Sequence, residues 1–263
     1  MTATISTTCD NYAKQVCGFL SEYSSLLFSC GATCIRLEKN ISRIASTMGM
    51  QADIAIMPRH IHLMVTHVAS GDTFTSVTTI KPHPVSYDII TRLSRLSWEI
   101  ADNHMALDAA ENSFKATSQT PACNPDVVLL LASLANASFC RLFGGDFIAM
   151  AIVFIATFAG FYLKQMMTRQ CFDIRITTIA CSFVSAILAS ADGLFGLGTT
   201  PGITIGTSVL YLVPGIVFIN SFCDMLYGHY ICAISRFLDA VILTSCLSLG
   251  LCAGMMLMKT GMF

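Results

Sequence analysis

Charge is scarce in this chain and unevenly spread. Only 12% of its 263 residues are charged, against about 25% in ordinary soluble domains. Residues 1–126 hold 20 of the 31 Lys, Arg, Asp and Glu residues, and residues 127–263 hold 11. An apolar surface this large cannot be hidden in a water-soluble core, so lipid is its natural solvent. Net charge is only −1, which argues against nucleic acid as a partner. Twelve Cys are present without a CxxC pair. Half lie in or beside apolar runs, where Cys behaves as a small hydrophobe, and a disulfide framework belongs to short secreted chains. No G-x-S-x-G, HExxH or P-loop occurs, so neither an enzyme nor a cofactor is expected. The N-terminus, MTATISTTCDNYAK, lacks a basic segment followed by an apolar one. It therefore predicts no cleaved signal peptide and a first domain that stays where it is made.

The first 120 residues read as an α+β domain. Helical spacing of apolar residues predicts helices over 9–30 and 33–48, ended by Gly31 and Gly49. Residues 53–57, 60–68 and 73–80 are β-branched or alternating and predict a small antiparallel sheet. Helical periodicity returns over 87–103 and 107–118. Cys30 and Cys34 have the spacing to share a helix face, but no matching Cys or His pair accompanies them. His60 and His62 read as exposed strand positions, and no metal site is expected. PACNPD, with its two prolines, reads as a linker at 121–126.

Five apolar runs follow, near 127–143, 147–163, 176–191, 202–222 and 237–258. They predict a multi-pass α-helical membrane domain over 127–263, with about 20 apolar residues per crossing. Four crossings remain if the first run is re-entrant. With five, Lys164, Arg169, Arg175 and Arg236 fall on the side of the soluble domain, and Arg141 and Lys259 on the other. Cytoplasmic loops carry the excess of Lys and Arg, so the first domain should be cytoplasmic and Phe263 outside. Gly198, Gly202 and Gly206 form one small-residue row and Gly250 and Gly254 another. Such rows serve packing within the chain or against a partner.

Val213-Pro214-Gly215 falls in the middle of the fourth run. Pro214 removes a backbone donor, so the helix should kink or break there. A break at membrane depth is either an ordinary proline kink or a substrate site of the kind transporters build. Asn220 and Asp224 lie beyond it on one helical face. Asp224 is either a proton carrier near the hydrocarbon or an interfacial carboxylate in water. Arg236 and Asp239 form a candidate interfacial ion pair, and Asn136 is a weaker polar candidate in the first run.

Three stretches carry a family resemblance: CGATCIRLEKNISRIASTMGM at 30–50, FCRLFGGDFIAMAIVFIATFAGFYLKQ at 139–165, and YLVPGIVFINSFCDMLYGHYICAISR at 211–236. The sequence resembles the threonine/serine exporter family, in particular its short YjjP-like members. The matching positions are Gly144, Gly145, Asp146, Pro214, Gly215, Asn220, Asp224, Gly228, His229 and Arg236. The resemblance implies export of a small carboxylate metabolite, threonine or serine or a dicarboxylate such as succinate, across a bacterial inner membrane. It also implies a half-transporter whose second membrane module comes from a separate small membrane protein. Proton coupling through Asp224 is the expected drive. The competing readings are a membrane-anchored hydrolase, weakened by the missing nucleophile–base pair, and a ligand-sensing scaffold.

Overall fold

A computed structural model describes residues 2–120 and 123–258, with side chains from Tyr12 onward. The linker residues 121 and 122 and the tail from Lys259 to Phe263 lie outside the described residues. The chain divides into two compact units. One comprises Met1–Pro121 with Ile216–Phe237, the other Ala122–Gly215 with Leu238–Phe263. The unit built around the sheet thus includes a segment whose composition reads as membrane-embedded.

In the first unit, α1 (Thr2–Ser29) and α2 (Cys34–Thr47) precede strands β1 (Met50–Ile56), β2 (His60–His67) and β3 (Thr73–Thr79), then α3 (Tyr87–Asp102) and α4 (Leu107–Ser118). The sheet is antiparallel in the order β1-β2-β3, with Ile54 opposite Leu63 and Leu63 opposite Ser76. Ile61, Leu63 and Val65 face the core, while His60, His62 and Met64 face out. This is the alternation of a sheet covered on one face. Val16, Leu20, Tyr23 and Leu27 of α1 meet Leu37, Ile41 and Ile44 of α2 and Leu93 and Ile100 of α3 in one apolar core. Ser86 caps α3 by accepting from Ile89 N. Cys30 lies in the turn after α1 and Cys34 opens α2, so the two do not share a helix face.

The second unit holds α5 (Pro125–Leu142), α6 (Phe147–Arg169), α7 (Ile174–Phe195), the short α8 (Pro201–Ser208) and a 3-10 turn (Leu210–Leu212). α9 (Gly215–Leu226) and α10 (Tyr230–Leu257) complete the chain. Four of these helices, α5, α6, α7 and α10, are long and apolar enough to cross a membrane, with a fifth crossing if α8 and α9 count as one broken span. Several of their ends reach beyond the predicted apolar runs, and side-chain and glycine caps decide some of them. Asp173 accepts from Arg175 N to start α7, and Gly196 ends it at φ +58°. α10 begins seven residues before the predicted run, at Tyr230, because Arg236 has a partner and does not interrupt it.

Burial in the second unit is inverted relative to the first. Ser133, Asn136, Thr157, Ser182, Ser185, Asp192 and Thr204 are buried, while Leu131, Phe139, Phe147, Ile155 and Phe158 are exposed. Water would penalise that skin at roughly 25 cal/mol per Å²; a hydrocarbon solvent would not. The inversion is the tertiary counterpart of the missing charge. Of the two glycine rows, Gly250 and Gly254 sit against α7, where added Cβ atoms would strike Ser182 and Ala186. The other row does not form. Gly198 lies ahead of α8, and no atom comes within 4 Å of a Cβ built on Gly202 or Gly206.

Candidate functional site

The fourth apolar run is interrupted where Pro214 lacks a donor. Without it the chain tightens: Leu212 N donates to Val209 O and Val213 N to Leu210 O. Gly215 N then donates to Val213 O at 2.9 Å, closing a γ-turn around Pro214 from which α9 starts afresh.

Gly228 joins α9 to α10 at φ +86°, in the left-handed region open to glycine. Gly228 N donates to Met225 O, and His229 N reaches back to Asp224 O, closing the last turn of α9. The reversal brings Arg236 onto Asp224, with Nη1 donating to Oδ2 at 2.8 Å. Asp224 has no exposed surface. Its other oxygen, Oδ1, accepts from Cys34 N at 2.8 Å. Thr33, the residue before α2, makes no side-chain cap; Asp224 supplies the acceptor instead, an anion at a helix start. Arg236 Nη2 donates to Ala32 O at 2.8 Å, and its guanidinium lies 4.6 Å from the Phe28 ring centroid. One helical turn earlier, Asn220 Nδ2 donates to Gly31 O at 2.8 Å. Cys232 Sγ donates to Ile56 O at 3.3 Å, and His229 Nε2 stands 3.5 Å from Glu38 Oε1.

Three side chains of 216–237 therefore hold the backbone of residues 31–34, and the buried charges are tolerated because they are paired and hydrogen-bonded. Arg236 chooses Asp224 over Asp239, which is exposed; the expected Arg236–Asp239 pair does not form. A side-chain hydrogen bond to Cys232, then burial, then the Asp224 charge push the Cys34 thiol well above its usual range.

A second polar cluster lies in the second unit. The α5–α6 turn is Gly144-Gly145-Asp146. Gly145 must be glycine, since a Cβ there would stand 2.5 Å from Cys140 Sγ and 2.8 Å from the Cys140 carbonyl oxygen. Asp146 caps α6 through Ala149 N at 2.6 Å. It also accepts from Thr199 N and Oγ1, at 2.6 and 2.9 Å. The Thr199 amide first, then that of Ala149, hold its carboxyl below the usual carboxylate range. Asp192, fully buried, accepts from Gly198 N at 2.7 Å and Thr204 Oγ1 at 2.5 Å. Deeper in the bundle, Asn136 Nδ2 donates to Thr157 Oγ1 at 2.7 Å and to Thr207 O at 3.0 Å, joining α5, α6 and α8. Ser185 and Tyr211 hydroxyls meet at 3.0 Å.

The candidate residues thus separate. Asn220, Asp224, Gly228 and Arg236 gather in the first unit. Asn136, Gly144, Gly145 and Asp146 belong to the second, and Pro214 and Gly215 stand at the break. Asp192 escaped the sequence reading although the rule that singles out Asp224, an ionisable group beside an apolar run, applies to it equally. Glu38 lies inside the 30–50 stretch that carries the family resemblance, but nothing local to it marks His229 as its neighbour.

The chain matches the ThrE family model, "Putative threonine/serine exporter", over residues 18–258. It is 26% identical over 237 residues to the "Probable succinate transporter subunit YjjP" of Klebsiella aerogenes, covering 89% of each chain. It is also 26% identical over 239 residues to the protein of the same name from Escherichia coli K12, covering 89% of this chain and 90% of that one. Identity to the "Probable threonine/serine exporter" of Mycobacterium tuberculosis is 20% over 251 residues, covering 92% of this chain and 46% of that protein. No solved structure matches significantly. These relatives are named as transporters or exporters and not as enzymes. With the family model covering nearly the whole of it, the chain belongs to the threonine/serine exporter family.

Proposed function

We propose that the chain is one subunit of a secondary transporter that exports a small carboxylate metabolite, either threonine and serine or a dicarboxylate such as succinate. Residues 127–263 form its membrane domain in a bacterial inner membrane, and residues 1–120, which carry the sheet, lie in the cytoplasm. The observation that carries this reading is the polar junction of Asn136, Thr157 and the Thr207 carbonyl, buried inside helices with an apolar skin. Interrupted helices around such a polar interior are how transporters present backbone groups to a substrate. Pro214 and Gly215 provide the interruption, and Gly144, Gly145 and Asp146 hold the α5–α6 turn. The names of the relatives support the substrate class.

The proton gradient drives the export in this reading. A proton taken up by Asp224 would weaken its hold on Arg236 and on the start of α2, releasing the joint that Asn220 and Gly228 help to form. A separate small membrane protein supplies the other half of the transporter. That expectation draws on the word "subunit" in the relatives' names and on the 46% coverage of the longer exporter.

The test is efflux of threonine, serine and succinate from cells with and without this chain, co-expressed with a small membrane protein of the kind proposed as its partner. Faster efflux of at least one of the three is expected. Unchanged efflux of all three overturns the proposal.

A further inference from the structure

A cleft of about 380 Å³ opens in the sheet-bearing unit beside the turn that Asp224 holds. Its walls carry three cations, Arg36, Lys39 and Arg43, together with Thr33, Trp98 and Tyr227, and no carboxylate. The three cations recur at positions i, i+3 and i+7 of α2, which places them on one helix face. Carboxylates nearby are engaged elsewhere: Glu38 with His229 at 3.5 Å and Glu99 with Arg95 at 3.9 Å. Among the described residues, no carboxylate forms an ion pair with Arg36, Lys39 or Arg43.

The cleft is also pre-organised. Arg43 Nη1 donates to Ser97 Oγ at 2.6 Å and to Asn40 Oδ1 at 3.1 Å, and its guanidinium stacks 3.6 Å from the Trp98 ring centroid. Buried Asn40 is fixed in turn, its Nδ2 donating to Tyr23 Oη at 3.1 Å and Ser94 Oγ at 3.4 Å. A guanidinium has five N–H donors, and both of these bonds use Nη1, so Nη2 and Nε remain to meet an acceptor. Three like charges converging without a counter-charge repel one another. An oriented guanidinium among them suits oxyanions, which it binds in a forked geometry.

We infer that this cleft binds a compact oxyanion with two or more negative charges, of dicarboxylate or phosphate type. Thr33 adjoins Cys34, the residue held by Asp224, and Tyr227 adjoins Gly228, the glycine of the α9–α10 turn. An anion seated between them bears on both ends of that joint. The inference rests on the transport reading only for its physiological meaning; the binding itself does not need it.

Trp98 is the only tryptophan in the chain, so its fluorescence reports on the cleft directly. The full chain in detergent would be titrated with succinate and with inorganic phosphate, against sodium chloride at matched ionic strength. Isothermal calorimetry on the same sample would detect a ligand that leaves the ring unperturbed. A further arm compares nanodiscs of phosphatidylglycerol with nanodiscs of phosphatidylcholine. The expected result is saturable binding of succinate or phosphate, with chloride silent. Arg36→Gln combined with Lys39→Gln should weaken it at least tenfold at an unchanged melting temperature, since both side chains are exposed. A response confined to phosphatidylglycerol, whose phosphodiester carries a single negative charge, overturns the inference. No response in any arm, or one that the double variant keeps in full, overturns the inference. Binding without efflux would sink the transport reading and leave the cleft standing; efflux without binding would do the reverse.

Discussion

Asp224 and Arg236 are twelve positions apart on either side of the Gly228 turn, and each holds its partner and one backbone group of residues 31–34 at 2.8 Å. The pair is therefore a joint within the sheet-bearing unit, formed by two of the three stretches that carry the family resemblance. Removing one member strands the other, and a stranded buried charge costs about 3–5 kcal/mol. Arg236→Gln should lower the melting temperature of the purified chain severely, because Asp224 is wholly buried. Asp224→Asn should cost less, because the Arg236 side chain keeps 15% of its surface. The double variant should be less unstable than the sum of the two losses. Additive losses in a double-mutant cycle would mean that the two residues are not coupled.

Asn136 joins three helices with one amide. Asn136→Leu leaves the Thr207 carbonyl without that donor inside an apolar skin, at a cost of about 1–3 kcal/mol. Efflux per molecule of membrane-inserted chain should fall at least tenfold. Normal efflux at normal abundance would reduce the junction to packing.

The glycines divide by what surrounds them. Gly145→Ala forces a methyl onto Cys140 and should destabilise by about 1–3 kcal/mol, the usual range for overpacking. Gly206→Ala meets open space within a helix and should stabilise by about 0.5–1 kcal/mol. Thermal unfolding in detergent measures both, and equal effects would contradict the close approach at Gly145.

Thiol chemistry reports on burial and on sidedness. Cys123 and Cys171 are exposed, whereas Cys30 and Cys34 are buried. Burial pushes the Cys30 thiol up, and Cys34 is raised further, so little thiolate forms at either. Maleimide should label Cys123 and Cys171 in the folded chain, and Cys30 and Cys34 only after unfolding. Cys123 precedes α5 and Cys171 follows α6, so two crossings separate them and leave them on one side. An impermeant maleimide added to intact cells should miss both and in inverted vesicles label both. Labelling of either from outside would overturn the proposed orientation.

Much of this architecture is legible one residue at a time. The period-two run HIHLMVTH predicts β2 with its alternating faces, and Pro214 predicts the interruption that the γ-turn at 213–215 realises. Boundaries are less legible, because Asn124, Asp146 and Asp173 end their neighbouring turns through side-chain caps that an apolar count does not register. The Gly198–Gly202–Gly206 row failed for a related reason. Spacing assumes one continuous helix, and Thr200-Pro201 starts a new one.

Sequence alone determined where charge thins out, which helices are apolar enough for lipid, the small sheet and the place where a helix must break. Hydropathy, periodicity and the missing proline N–H are properties of neighbouring residues, so a linear reading captures them. Tertiary structure alone decided that Arg236 turns to Asp224 and not Asp239, that Asn220 and Asp224 hold residues 31–34, and that three cations of α2 converge beside Trp98. Each of these depends on which distant backbone groups are left without partners when the helices pack, and a buried charge goes wherever such a group can satisfy it.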